Sequence, residues 1–285
     1  MIRPYELDWL GGPTERLFRG LRPGIEQFPW GTLDPSRYPI ELVDRARQSW
    51  TDASWNEYCT AAAFAALLQD LLAAGAPVDL VGLVGDFVVD EMLHVELTAR
   101  LAMELGGAAP MKVDFTELAE VAPPHLTAFQ RATWRVVRVC CVAEALSVPM
   151  LATCRSTAAH PLTRAVLTRI VKDEGPHAVF GLWYLDWAAD RLDDDDRALL
   201  GDAALETLAS FAHLWGDLTS TTQDGVTSEG YLLQHIHELG WAESRVYAQT
   251  ARRVVREDIV APLAERGIVL EPVAVDALLA RGVLD

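Results

Sequence analysis

The sequence predicts an all-α fold: a four-helix bundle with an irregular N-terminal arm and additional helices after it. Three observations point there. Apolar residues recur at three- and four-residue intervals through long segments, as the buried face of a helix requires; Leu42, Ala46, Trp50, Tyr58, Ala61, Ala65 and Leu68 are one such series. No stretch alternates Val, Ile or Thr with polar residues strongly enough to predict a sheet. A chemical pattern also occurs twice: a lone glutamate in one apolar helix, then Asp-Glu-x-x-His in the next.

Residues 1–37 hold Gly11-Gly12-Pro13 and Pro29-Trp30-Gly31, which break regular structure. They read as an arm with one short helix, packing Trp9, Phe18, Phe28 and Trp30 onto the main body. Asp34-Pro35-Ser36 is a turn before the first long helix, expected over about 39–74, with room for a break or kink near Thr51-Asp52. Gly75 and Pro77 terminate that helix. The second runs over about 78–105 and stops at Gly106-Gly107; residues 108–121 are a crossover. Pro123-Pro124 opens the third helix, to about 156, with a bend expected at Pro149. The fourth covers about 162–191 and contains Gly175-Pro176, where a kink or π-bulge is expected.

Asp193–Asp196 is an acidic helix start. A fifth helix to about Leu218 and further helices at about 228–238, 242–265 and 273–281 complete the chain. The domain reading is therefore an arm at 1–37, a bundle at 38–192, and helices at 193–285 packed on it in one domain.

The formal charge of −17 excludes a nucleic-acid partner, whose phosphates need a basic face. No apolar run reads as long and uncharged enough to cross a bilayer, and no secretory leader is visible at the start, so the expectation is a soluble, cytoplasmic protein. Abundant arginine and alanine with only Lys112 and Lys172 suggest a GC-rich bacterial source. Cys59, Cys140, Cys141 and Cys154 form no CxxC pair and read as buried free thiols.

The candidate site is built from Glu57, Glu91, His94, Glu144, Glu174 and His177. Glu-x-x-His places both side chains on one helix face about a turn apart. Glu91 follows Glu57 by 34 residues (91 − 57) and Glu174 follows Glu144 by 30 (174 − 144). A helix half, a turn and another helix half fill each interval, which brings the partners to one height along the bundle. Four carboxylates balance two divalent cations, and two imidazoles complete the donor set. Without a cation, burying four glutamates together forces protonation or costs many kcal/mol.

This ligand pattern resembles that of the ferritin-like di-iron carboxylate superfamily, over about residues 40–190. The resemblance implies that Glu91 and Glu174 bridge or chelate, that Glu57 and Glu144 are terminal ligands, and that His94 and His177 each hold one metal. It implies two iron ions, with manganese or a mixed pair as alternatives. Asp90 and Asp173 match the aspartates that orient ligand histidines in its oxygenase branch. That branch carries arginine just before each ligand histidine; here Leu93 and Pro176 stand there. Ile170 occupies the place of an extra histidine found in some N-oxygenases of the superfamily.

The function so implied is a di-iron oxidase or oxygenase acting on a small organic substrate with dioxygen. No dinucleotide motif is present, so electrons would come from an external ferredoxin or reductase. A homodimer is compatible with this reading. The alternatives are a ferroxidase or iron-handling protein, a dimanganese or mixed-metal redox enzyme, and a bundle stabilised by metal without catalysis. Thr98, Ser147, Phe180, Gly181 and Tyr184 fall within reach of the ligands and are candidate pocket residues; Gly181 is expected to leave room for access. His125, His160, His213, His235 and His237 lack a carboxylate partner at ligand spacing and read as ordinary polar residues.

Overall fold

The computed structural model describes residues 2–217 and 220–281. Two long helices dominate the first half: α2, Ile40–Ala74, and α3, Val78–Glu104, preceded by the short arm helix α1, Gly12–Leu21. Gly75 closes α2 in the left-handed conformation at φ 65°, its N–H reaching the carbonyls of Leu71 and Leu72. Pro77 then starts α3 where its missing donor costs nothing. The tight link makes α2 and α3 an extensively packed hairpin. Helix α2 is continuous through Thr51 and Asp52, so no break falls where the sequence allowed a break or kink. Thr51 is buried there and its hydroxyl donates back to the Arg47 carbonyl at 2.7 Å, so it turns inward without opening the helix.

The second helix pair begins five residues after Pro123, at a capping box formed by Thr127 and Gln130. Helix α4, Ala128–Val136, passes into a π-helical segment, Val137–Glu144, and continues as α5, Ala145–Thr157. The whole run Ala128–Thr157 is long and apolar enough to cross a membrane by composition, contrary to the sequence expectation, and half of its most apolar window is buried. Its apolarity has a local cause. Its parts touch α2, α6 (Pro161–Ala188), α7 (Asp194–Ser210) and α10 (Ser244–Val254), so few faces are left for charge.

The structure also moves the expected distortion. Helix α6 is α-helical straight through Gly175 and Pro176. The π turn lies instead on the partner helix and ends at Glu144. Pro149 cannot donate to the carbonyl of Ala145, the residue at which α-geometry resumes, and the widened turn upstream accommodates that loss. A second π segment, Val255–Val260, joins α10 to α11 (Ala261–Glu265), with Pro262 just beyond it.

Helix α7 is capped by Asp193 and ends at Ser210, earlier than expected; the predicted end at Leu218 lies outside the described residues. The short helices α8 (His213–Gly216), α9 (Leu233–Glu238) and α12 (Pro272–Leu279) complete the described α-helices, beside 3-10 turns at Ile25–Gln27, Pro35–Arg37 and Ala189–Arg191. Two small antiparallel pairs interrupt the helical pattern. Strand β1 (Ile2–Pro4) pairs with β2 (Lys112–Asp114), clipping the start of the chain to the crossover between the helix pairs. Strands β3 (Thr222–Gln223) and β4 (Val226–Thr227) form a hairpin around Asp224-Gly225, both at positive φ. The fold is otherwise helical.

Two apolar clusters fill the interior. One joins Phe64, Leu67 and Leu71 of α2 to Val84, Phe87, Phe180, Tyr184 and Leu185, and extends to Leu208, Ile259 and Leu278 near the C-terminal end. The other joins Val43 and Trp50 of α2 to Leu93, Leu97, Leu162 and Ile170, and takes in Ile25, Leu33 and Tyr38 from the arm. Each large side chain so buried contributes about 1.5–3 kcal/mol. Five of the six candidate donors lie between the clusters along α2, α3 and α6, and Glu144 joins them from the end of the π segment. Apolar packing above and below therefore brings them to a common level and buries all but Glu57, which is partly exposed.

Candidate metal centre

The structure brings all six residues together in two overlapping groups. Glu57, Glu91, His94 and Glu174 offer ligand atoms within 4.8 Å of one another; so do Glu91, Glu144, Glu174 and His177. Glu91 and Glu174 belong to both. His94 Nδ1 lies 3.0 Å from Glu174 Oε1 and 3.9 Å from Glu57 Oε2. His177 Nδ1 lies 2.7 Å from Glu174 Oε2 and 3.2 Å from Glu91 Oε1. Both rings thus aim Nδ1 at the glutamates.

The opposite ring nitrogens reveal a crossed arrangement. His94 Nε2 faces Asp173 at 3.6 Å, and His177 Nε2 faces Asp90 at 3.6 Å. Each aspartate therefore supports the histidine of the other helix. Both are held from behind by arginine. Arg22 of the arm pairs with Asp90 and, at 2.7 Å, with Asp86. Arg169 pairs with Asp173 at 2.5 Å and donates to the Pro23 carbonyl at 3.2 Å. Leu93 and Pro176 stand just before the two histidines, so the positive charge behind the aspartates comes instead from Arg22 and Arg169. Arg169 was detectable as an i, i+4 partner of Asp173. Arg22 had no local signal, since only folding carries the arm to α3.

The electrostatics of the cluster are dominated by the burial of four carboxyls beside two imidazoles. Burial pushes the Glu91 carboxyl well above its ordinary range, and Glu174, Glu57 and Glu144 push the same way. Burial and Glu174 do the same to Glu144. Glu57 is also raised, by burial first, with His94 opposing. Burial opposes charge on the histidines, but Asp173 and Glu174 hold His94 well above its usual value. Likewise Asp90 and Glu174 hold His177 up at about 10. Glu174, facing both rings, is lowered despite its burial. Protons are thus retained where cations can sit.

Both oxygens of Glu91, one of Glu174, and both nitrogens of His94 and His177 are buried and crowd one another, yet none of their contacts is aligned as a hydrogen bond. Orphaned groups of this kind in a dry interior call for a ligand. The donor set of carboxylate oxygen and imidazole nitrogen suits first-row divalent ions, so the residues fit a metal centre. Phe87 and Phe64 close over His177, with ring centroids 4.1 and 5.2 Å away.

On the side of α2 and α5, a cavity of about 550 Å3 reaches Glu57, Glu144 and Glu174. Of the five candidate pocket residues, Ser147 borders it. The other four are packed elsewhere. Thr98 donates to the His94 carbonyl at 2.7 Å. Phe180 lies edge-on to Phe87, and the Tyr184 hydroxyl meets Thr133 at 2.9 Å in the core. Gly181 serves close packing: a Cβ there would lie 2.5 Å from Cys141 Sγ and 3.0 Å from its backbone nitrogen. It admits the π segment, where access for a substrate was expected.

Among the other histidines, His160 caps α6 by accepting from Leu162 N–H at 3.2 Å, and His213 stands at the cavity rim. The four cysteines are free, and all but Cys59 are buried. In comparisons with known proteins, the chain matches no family model, no curated protein and no solved structure.

Proposed function

We propose that this chain is a ferritin-like di-iron protein that uses dioxygen to oxidise a small organic molecule. One observation carries the reading: two donor groups share Glu91 and Glu174, and a substrate-sized cavity meets them at Glu57 and Glu144. When bound, a pair of iron ions supplies the redox chemistry that no side chain here provides. Manganese, or a mixed pair, suits the same donors.

The chain's own residues have distinct tasks in this reading. Glu91 and Glu174, common to both donor groups, would help to hold both ions, while Glu57 with His94 and Glu144 with His177 would each serve one. Asp90 and Asp173 fix the ring orientations, so that each Nδ1 stays turned inward. Phe64, Phe87 and the clusters above and below exclude water. The cavity side is left as the approach for dioxygen and substrate. Electrons would arrive from a separate ferredoxin or reductase.

The test is metal analysis of the isolated protein, then anaerobic reduction and exposure to oxygen under optical spectroscopy. About two iron ions per chain and an oxygen-dependent spectral change are expected. Metal without any response to oxygen would instead leave a bundle stabilised by its ions. A large spherical assembly carrying many irons per chain on gel filtration would favour iron handling.

A further inference from the structure

The cavity beside the carboxylates has a composition that restricts what can enter it. Its apolar wall includes Trp50, Met150, Leu151, Leu167 and Trp241. Trp50 and Trp241 stand with centroids 5.1 Å apart and rings tilted by 44°. Asn56, Thr60 and Ser147 add uncharged polar groups, and neither lysine nor arginine lines the space. Its one basic side chain, His213, is exposed at the rim, with Nδ1 2.9 Å from the Ser210 carbonyl.

Ser49, Leu214, Trp241 and Tyr247 also line an adjoining outer cavity of about 470 Å3. That vestibule carries Asp217, Glu229 and Glu243 against a single arginine, Arg45, which Glu229 already binds at 2.5 Å. Arginines occur in a smaller cavity on the other side of Glu144, of about 250 Å3. Both of those are engaged: Arg135 by Asp70 at 3.0 Å, Arg138 by Glu206 at 2.9 Å and by Glu120. At the junction of the two larger spaces, Tyr247 packs against both apolar clusters. Its hydroxyl makes no hydrogen bond among the described residues.

We propose, resting on the functional reading above, that the substrate is a small apolar or aromatic molecule bearing a neutral or cationic polar end and no negative charge. It enters through the acidic vestibule, and Tyr247 binds its polar end. The physical reason is the cost of burying an unpaired carboxylate: no side chain of this cavity offsets it, and four glutamates already balance the charge of two divalent ions, which leaves no net positive charge beside the cavity. The acidic rim and the net charge of −17 repel an anion before it arrives. An amine gains from the same field and from the indole faces, and an alcohol or amine satisfies the free phenol.

Three probes of one shape test this on the metal-loaded protein: 2-phenylethanol, 2-phenylethylamine and phenylacetate, titrated calorimetrically. The alcohol and amine are expected to bind, with phenylacetate at least tenfold weaker. Tyr247→Phe should weaken the first two several-fold at unchanged metal content. Leu151→Trp, which fills the cavity, should abolish binding while metal content and helicity persist; Ala53→Trp is the second filling variant if the first misfolds. Phenylacetate binding as tightly as the amine overturns the proposal, as does binding that survives both filling variants or the absence of binding by all three probes. Metal content measured on the same samples separates the two readings. A chain that takes up no metal undoes the functional reading, whereas a loaded chain that prefers the anion undoes only the substrate class.

Discussion

Asp90 and Asp173 illustrate how charge is handled residue by residue. Each accepts from an arginine on one side and faces a ring nitrogen 3.6 Å away on the other. Asp90 is held below its ordinary range by His177 and Arg22 although burial acts against it. Removing Arg22 leaves a buried carboxylate that no longer holds His177 in one orientation. Arg22→Ala should therefore weaken metal binding roughly 10–100-fold, read by competition with a chelator; unchanged affinity would show that the arm does not position the site. The ligands themselves are tested more directly. His177→Ala or Glu144→Ala should lower bound metal by at least one ion per chain, and full occupancy in both variants refutes the assignment.

Among the elements, the π segment Val137–Glu144 is the one that shapes the site. It sets the angular position of Glu144, and its approach to α6 depends on Gly181 having no side chain. Gly181→Ala places a carbon against Cys141 and should cost about 1–3 kcal/mol through overpacking. A fall in Tm would record it, with metal content following if Glu144 is displaced; an unchanged Tm would mean that the contact relaxes freely. Gly201 plays a similar part against the Val269 carbonyl, which a Cβ would approach to 2.5 Å. That contact lets the segment before α12 close over α7.

For the whole molecule, the cluster couples folding to protons and metal. The carboxyls of Glu91 and Glu144 titrate higher in the fold than in the unfolded chain. Their stabilisation is complete below the ordinary carboxylate range and is lost as pH rises through the raised values. His177 acts in the same sense, its contribution present below its usual value and lost toward about 10. Glu174 acts oppositely, but only as pH falls below the ordinary carboxylate range. The metal-free protein should therefore lose Tm as pH rises from about 5 toward 10, the lower bound set by ordinary carboxylates. Metal competes with those protons, so the rise in Tm on loading should be larger at pH 8 than at pH 5.5. Thermal melts of both forms check this; a metal-free Tm that climbs steadily with pH would contradict it.

The helical class and the six donors were legible in the chain because both rest on local spacing. A 3.6-residue period and a Glu-x-x-His interval place side chains on a helix face whatever else the chain does. Capping signals at Gly75 and Asp193 were similarly local. Long-range contacts were not legible. Gly175-Pro176 and Pro149 both carry local signals for distortion, yet only the packing against Gly181 shows that the π turn falls on the helix of Pro149. The crossed Asp–His pairs, the rescue of Asp90 by an arginine 68 residues earlier in the chain, and the cavity between α2 and α5 exist only once distant segments meet. Sequence alone determined which groups can bind metal. Which of them are shared, what holds them from behind, and what can reach them depended on how the arm and helices pack, because those contacts are set by shape and charge across the fold.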